Sequence, residues 1–333
     1  MKRRAFLFGA AGAAIAPWSG AGVERTMRVA HADVPRAGVG EDLDVRDIRV
    51  DGDQSRRFTL CVPKHLAKHE RVPLLVLLHG LGETTDERLG AFAWVERYGL
   101  CTAYDRLRRP PLARTSNRAL GYHTDARLAE LDAELALRPF RGLVIACPFM
   151  PDLQIGSSAE LDRYASWIAN VVVPRARREA PTLEDEQHTS IGGCSLGGHF
   201  SLEVFLRRPE IFGAWGGVQT AIGEGGALVY ADRIARTLAR LSSGDAGDGL
   251  RTRDLHVETS TGDAFRRGNE ALTANLTKRG VPHDYRILPG PHDQAWLREA
   301  GTLEMLLWHD QRARIAKRVP ASSTSAHAAP GFR

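Results

Sequence analysis

The residues best suited to chemistry in this 333-residue sequence are a serine and the glycines that flank it. Gly193-Cys194-Ser195-Leu196-Gly197 matches Gly-x-Ser-x-Gly, a pattern that places its serine on a sharp turn between a strand and a helix. An apolar run precedes the motif, and a helical stretch over residues 197–207 follows it. Glycine is needed there because a β-carbon would collide with the neighbouring elements. We therefore predict that Ser195 is a nucleophile, against the alternative of an ordinary tight turn.

A serine hydroxyl needs a general base, and the base needs a carboxylate to orient it. His292 lies in a rigid Pro-Gly-Pro-His-Asp segment ahead of the last predicted helix, and we predict that it is the base. Asp263 follows the strand predicted over residues 255–260, at a strand end where parallel sheets place functional side chains. We predict that Asp263 is the acid. The competing acids lie at the start of or within predicted strands, where surface charge is the simpler reading: Asp254, Glu258 and Asp284.

Backbone donors for a developing oxyanion are predicted at two places. His79-Gly80-Leu81-Gly82 follows the most hydrophobic strand, residues 74–78, and Leu196 follows the serine directly. The predicted donors are the N–H groups of Leu81 and Leu196, since such donors come from these two loops. Each donor of this kind contributes roughly 2.7–4 kcal/mol to catalysis. His79 itself is predicted to hold the loop by hydrogen bonds.

Short β-branched or aliphatic runs alternate with helical stretches along the chain, which predicts an α/β fold with a mostly parallel, doubly wound sheet of about eight strands and helices on both faces. The predicted helices cover residues 161–178, 197–207, 231–241, 269–279 and 294–312. The predicted strands cover residues 46–50, 57–62, 74–78, 143–147, 189–192, 214–218, 255–260 and 285–288.

The longest connection, residues 79–141, exceeds what a simple crossover requires, so we expect it to hold a helix plus an insertion. We expect substrate choice to depend on this region. Its aromatic side chains either line an acyl or aromatic pocket or belong to the core: Phe92, Trp94, Tyr98, Tyr104 and Tyr122.

These segments together resemble an esterase family of the α/β-hydrolase superfamily that includes esterase D, enterochelin esterases, feruloyl esterases and mycobacterial mycolyltransferases. The likeness runs from about Pro73 to Ala300 and includes the glycine-flanked serine, Arg208-Pro209-Glu210-Ile211-Phe212, and the segment ending in His292. The resemblance implies the same Ser195, Asp263 and His292. The sequence departs from the family where Pro291 replaces a common glycine and where Gly262 abuts Asp263 without a spacer.

The predicted function is a serine carboxylesterase that works through an acyl-enzyme on Ser195, without cofactor or metal. One alternative is acyl transfer to a sugar or another alcohol by the same three residues. A second is a binding protein that keeps the fold without catalysis. The expected substrate is a small-molecule or carbohydrate-linked ester. The net charge of +5 arises without basic blocks, which argues against nucleic acid as a partner. The sequence does not indicate an oligomeric state.

The N-terminus reads as an export signal. Lys2-Arg3-Arg4 precedes an apolar run that ends near Ala16, which is the layout of a twin-arginine-like signal peptide. The run is too short to span a bilayer, so we expect no stable membrane span in the mature protein. We predict a signal peptide at 1–21, a linker at 22–42, the catalytic domain at 43–318 and a disordered tail at 319–333, with a periplasmic or extracellular destination. Three of the four cysteines lie in apolar strand-like runs, where a buried free thiol is expected, although export would permit a disulfide between two of the four.

Overall fold

The computed structural model describes residues 40–50, 56–115, 122–153, 157–243 and 253–315. The predicted signal peptide, most of the predicted linker and the predicted tail lie outside the described residues. The strands are β1 (Leu43–Val50), β2 (Arg56–Pro63), β3 (Leu74–Leu78), β4 (Val144–Pro148), β5 (Thr189–Cys194), β6 (Ala214–Val218), β7 (Asp254–Gly262) and β8 (Asp284–Pro291).

These strands form one eight-stranded sheet in the order β1-β2-β4-β3-β5-β6-β7-β8. Strand β2 is antiparallel to β1 and β4, and the other neighbouring pairs are parallel. The predicted α/β sheet is therefore confirmed, and each predicted strand overlaps one observed strand. Because β3, β5, β6, β7 and β8 run the same way, the residues that follow them meet at one edge of the sheet.

The last strand is longer than the sequence indicates. Pro289-Gly290-Pro291 suggests a loop, yet β8 continues to Pro291, which pairs with Gly262 beyond a bulge at the end of β7. Strand β8 is an edge strand of the sheet. Proline is tolerated on an edge strand because the side without a neighbouring strand needs no N–H donor. This extension brings the segment before His292 into register with the segment before Asp263.

The sheet is buried on both faces. In β3, Leu74, Val76 and Leu78 pack into one hydrophobic cluster, and Leu75 and Leu77 pack into the cluster on the opposite face. This alternation follows from the period of two along a strand, and the continuous apolar run is what a strand covered on both faces requires.

The helices cover both faces, as predicted. They are α1 (Glu87–Glu96), α2 (Leu100–Arg108), α3 (Asp125–Leu137), α4 (Ser158–Trp167), α5 (Val173–Glu179), α6 (Leu196–Arg207), α7 (Glu224–Ser243), α8 (Arg266–Lys278), α9 (Gln294–Trp296) and α10 (Thr302–Ile315). Wider π-helical turns join α4 to α5 (Ile168–Val172) and α9 to α10 (Leu297–Gly301). Within the described residues, no helix is both long enough and apolar enough to cross a membrane.

The described residues of the long connection after β3 contain three α-helices, α1 to α3, where the sequence predicted one helix plus an insertion. Trp94, Tyr98 and Tyr104 are fully or almost fully buried in the core, so the reading of these three as pocket residues is wrong. Phe92 is half-buried beneath the guanidinium groups of Arg57 and Arg88. Helical spacing predicts an apolar face, and that face packs on the sheet here.

The four cysteines, Cys61, Cys101, Cys147 and Cys194, are all buried free thiols. Burial raises the pKa of the Cys194 thiol well above its ordinary value, and the nearby Glu83 carboxylate acts in the same direction. The thiol beside Ser195 therefore stays protonated and does not compete as a nucleophile, since the thiolate is the reactive form.

Candidate active site

Ser195 lies at the turn between β5 and α6, as the motif predicts. Its backbone has φ 54° and ψ −120°, a conformation that L-residues rarely adopt. The turn requires glycine at positions 193 and 197 because the neighbouring backbone leaves no room for a side chain. A β-carbon on Gly197 would lie 2.3 Å from the carbonyl oxygens of both Leu78 and His79, and one on Gly193 would lie 2.5 Å from the oxygen of Gly197.

We expect Gly197→Ala to destabilise the protein by about 3 kcal/mol or more, because the clash is with backbone and cannot be relieved by a rotamer change. Thermal unfolding measures the loss. Gly225→Ala is the matched control, since a β-carbon there meets nothing within 4 Å and the residue lies in α7. The control should keep or gain stability, by about 0.5–1 kcal/mol. Equal stability of the two variants would contradict the packing argument.

The structure brings Ser195, His292 and Asp263 together. His292 Nε2 lies 3.1 Å from Ser195 Oγ, and His292 Nδ1 lies 2.7 Å from Asp263 Oδ1. With Nδ1 donating to the carboxylate, Nε2 is free to accept the serine proton. Ser195 is 8% exposed, and the His292 side chain is 16% exposed. These are the contacts that a general base between a nucleophile and a carboxylate makes.

Both oxygens of Asp263 have hydrogen-bond donors. Oδ1 accepts from the backbone N–H of Phe265 at 2.9 Å as well as from His292, and Oδ2 accepts from the Thr259 hydroxyl at 2.6 Å. The direct Gly262-Asp263 junction, a departure from the family pattern, thus does not keep this carboxylate from the histidine. The phenyl ring of Phe265 packs edge-on against the imidazole, with centroids 5.6 Å apart.

The competing acids contact other partners. Asp254 pairs with Arg312 at 3.0 Å, and Asp284 accepts a hydrogen bond from Trp308. Glu258 is fully buried beside His256, and burial raises the pKa of its carboxyl well above the ordinary value.

The loop after β3 lies beside the serine. A β-carbon placed on Gly80 would be 3.9 Å from Ser195 Cβ. Leu81 begins a single 3₁₀ turn (Leu81–Glu83) and Leu196 begins α6. The first amides of a helix lack acceptors within that helix. Both predicted donors are therefore first-turn amides next to Ser195.

His79 holds this loop, as the sequence analysis anticipated. Its Nδ1 donates to the carbonyl oxygen of Gly80 at 2.9 Å, and its Nε2 accepts from the N–H of Met150 at 2.9 Å. Burial lowers the pKa of His79 to about 4, so the ring is neutral at physiological pH. A neutral ring can serve as donor and acceptor at once, which these two bonds require.

A polar network that no sequence pattern indicates also supports the loop. Tyr98 accepts a hydrogen bond from the Gly80 N–H at 3.2 Å and donates to Glu83, which Arg97 contacts at 3.1 Å. Burial raises the pKa of Glu83, while the hydrogen bond from Tyr98 and the charge of Arg97 oppose that rise. Tyr98 thus connects the backbone beside Ser195 to a buried charge pair.

We expect Tyr98→Phe to lower kcat by about 10-fold, because the Gly80 N–H loses its acceptor and the loop that carries Leu81 is freed to shift. Steady-state kinetics on a p-nitrophenyl ester measures the effect. Thr302→Val is the control, since it removes a neighbouring buried hydrogen bond, from Thr302 to the Tyr98 carbonyl, and leaves the phenol in place. If both variants lose kcat equally, the phenol has no specific part in placing the loop.

A further residue missed by the sequence analysis is Gln219, which follows β6. It is 1% exposed, has φ 47°, and contacts the segments that carry the acid and the base. A glutamine after a strand has no sequence signature of its own, so its contacts are visible only in the fold.

Part of the chain matches a known protein family. Residues 152–300 match the model of the family described as "Putative esterase", and this segment contains Ser195, Asp263 and His292. No curated protein matches the chain.

Solved structures share the fold at low sequence identity. A ferulic acid esterase is 18% identical, with a TM-score of 0.57 over 81% of this chain and 99% of that one. An S-formylglutathione hydrolase from Agrobacterium tumefaciens is 14% identical, with a TM-score of 0.51 over 85% of this chain and 100% of that one. A fluorophosphonate-binding serine hydrolase from Staphylococcus aureus is 13% identical, with a TM-score of 0.53 over 80% of this chain and 98% of that one.

The sheet order, the glycine-flanked turn and the matched family model agree with one another. The chain therefore has the α/β-hydrolase fold of these solved esterases and hydrolases, and its residues 152–300 are similar to the family described as "Putative esterase".

Proposed function

We propose that the chain hydrolyses carboxylic esters through an acyl-enzyme on Ser195. Ser195 Oγ attacks the ester carbonyl carbon while its proton passes to His292 Nε2. When the tetrahedral intermediate collapses, the carbon–oxygen bond to the alcohol breaks and His292 returns the proton to the departing alcohol. A water molecule then attacks the acyl-enzyme with its proton taken by His292, and the carboxylic acid leaves as Ser195 regains its proton.

Asp263 and the first-turn amides support these steps in the proposal. The Asp263 carboxylate holds the Nδ1–H tautomer of His292 and stabilises the imidazolium that forms during each proton transfer. The N–H groups of Leu81 and Leu196 face the negative charge that develops on the carbonyl oxygen. No cofactor or metal takes part in these steps.

The observation that carries the proposal is the continuous hydrogen-bond chain from Asp263 through His292 to Ser195. It ends on a serine held in a backbone conformation that is costly for this residue type. Backbone strain of this kind, at a residue that also contacts a histidine, supports a catalytic role.

Covalent labelling tests the proposal directly. Purified protein is treated with a fluorophosphonate and digested, and mass spectrometry should find the added mass on Ser195. Hydrolysis of p-nitrophenyl acetate, butyrate and octanoate, and of methyl ferulate, then measures the size and shape of the acyl pocket. Folded protein that is neither labelled nor active on any of these esters would contradict the proposal and favour a binding role.

The acyl acceptor distinguishes hydrolysis from acyl transfer. Both reactions share the acyl-enzyme, and they differ in whether water or an alcohol attacks it. Product analysis in the presence of glucose, trehalose or glycerol separates the two. We expect free acid as the main product, and acylated sugar or glycerol in excess of acid would favour the transferase alternative.

We also propose that the chain is exported through its twin-arginine-like N-terminus, Arg3-Arg4 followed by an apolar run. Expression in a bacterium with a twin-arginine pathway should place the protein outside the cytoplasm, with the mature N-terminus near residue 22. The variant with both arginines changed to lysine should remain in the cytoplasm, and unchanged export of that variant would contradict the assignment.

A further inference from the structure

Gln219 occupies an unusual backbone position directly after β6. Its φ is 47°, a value that a residue with a long side chain adopts only with backbone strain. Its N–H donates to the carbonyl oxygen of Glu258 in β7 at 2.7 Å. Such backbone strain persists only where surrounding contacts impose it. The contacts of the Gln219 side chain therefore indicate why the residue is held in this conformation.

The amide group of Gln219 connects the two segments that carry the acid and the base. Its Nε2 donates to Ser260 Oγ at 2.7 Å and to the carbonyl oxygen of Pro291 at 2.9 Å. Ser260 Oγ contacts the same Pro291 oxygen at 3.2 Å. Pro291 directly precedes His292 in the chain, so its carbonyl orientation fixes the backbone from which the imidazole extends.

Ser260 links this contact to the acid. The backbone N–H of Asp263 donates to the carbonyl oxygen of Ser260 at 3.1 Å. Strand β8 lies at the edge of the sheet, and its last residues pair with β7 beyond a bulge. The Gln219 amide, fixed to the inner strand β6, thus holds the ends of β7 and β8 together.

The backbone around Gln219 also reaches the nucleophile. The N–H of Ser195 donates to the carbonyl oxygen of Val218 at 2.9 Å, and the N–H of Ala221 donates to the carbonyl oxygen of Ser195 at 3.0 Å. Residues 218–221 therefore contact the elements that carry all three members of the site. A side chain at this junction can fix the distance between Ser195 and His292 without touching substrate.

We propose that Gln219 is a positioning residue that holds His292 in register with Ser195 through the carbonyl of Pro291. The proposal rests on the roles assigned to Ser195 and His292 under the proposed function. Base and nucleophile must meet within hydrogen-bond distance, and a displacement of about 1 Å from this geometry can lower the rate by about 100-fold.

The test compares Gln219→Ala and Gln219→Gly with wild-type protein. Both variants remove the amide, and glycine also removes the backbone strain, because it adopts positive φ without cost. We expect both to lower kcat on p-nitrophenyl acetate by about 10- to 100-fold with KM changed less than about 3-fold. The rate of fluorophosphonate labelling should fall in parallel, since it depends on activation of Ser195.

Tyr104→Phe is the matched control for lost stability. It removes a buried hydrogen bond to the Leu143 N–H, at the opposite end of the parallel strands from Ser195. We expect this variant to lose thermal stability while it keeps wild-type kcat and labelling rate. Ser260→Ala should lose less activity than the Gln219 variants, because the Gln219 amide still reaches Pro291.

Three results would overturn the proposal. They are wild-type kcat in Gln219→Gly, a rise in KM with kcat unchanged, and a loss of kcat in Tyr104→Phe equal to that in the Gln219 variants. Ser195→Ala separates this failure from failure of the proposed function. If Ser195→Ala is inactive while Gln219→Gly is fully active, the assignment of Ser195 as the nucleophile is retained and the positioning role of Gln219 is wrong. If Ser195→Ala keeps its activity, the assignment of Ser195 as the nucleophile is wrong, and with it the proposed function.

Discussion

Ser195→Ala is expected to lower kcat by roughly 10⁴- to 10⁶-fold and to abolish fluorophosphonate labelling. The variant loses the oxygen that attacks the ester, so the remaining rate comes from substrate binding and the backbone donors alone. The protein should stay folded, because alanine fits the space of serine and the substitution removes only the hydroxyl that contacts His292. Burst kinetics and steady-state turnover on p-nitrophenyl acetate measure the loss.

Circular dichroism and thermal unfolding verify that the Ser195 variant is folded. Cys194→Ala is the companion variant, because Cys194 is the other potential nucleophile of the turn. Its buried, protonated thiol predicts turnover within about 3-fold of wild type. Retained activity in Ser195→Ala together with lost activity in Cys194→Ala would assign the chemistry to the thiol and contradict the serine mechanism.

The inner part of the sheet could be predicted from the sequence because strands β3, β4 and β6 are short and almost wholly apolar. The run Leu74–Leu78 has no polar residue, so burial on both faces is the simplest way to accommodate it. The end of β8 could not be predicted, since Pro289 and Pro291 cannot donate to a partner strand. Their place on an edge strand is a property of the assembled sheet.

The three residues proposed as acid, base and nucleophile could be predicted to meet because each follows a strand, and parallel strands bring such residues to one edge. The residues that support these three side chains could not be predicted. Glu83, Tyr98 and Gln219 act through contacts with backbone groups distant in sequence, and no spacing rule predicts these contacts. Tyr98 illustrates the difficulty, since helical spacing correctly indicates a buried face but gives no indication that its hydroxyl reaches Gly80.

Asp263→Ala is expected to lower kcat by about 10⁴-fold. Removing the carboxylate leaves His292 Nδ1 without its acceptor, so the ring can rotate or adopt the tautomer in which Nε2 carries the proton. In that tautomer the histidine cannot accept the proton of Ser195. Asp254→Asn and Asp284→Asn are the controls, because both carboxylates contact other partners, and each should keep wild-type kcat.

Asp263→Asn separates the two roles of the carboxylate. The N–H of Phe265 points at Oδ1, so an asparagine should place its carbonyl oxygen there and direct its NH₂ group to Thr259, whose hydroxyl can turn to accept. The Nδ1–H tautomer of His292 is then preserved and only the negative charge is lost. We therefore expect a loss of about 10²- to 10³-fold, smaller than in Asp263→Ala. Equal losses in the two variants would show that the Phe265 amide does not dictate the orientation, and full activity in both would assign the acid to another residue.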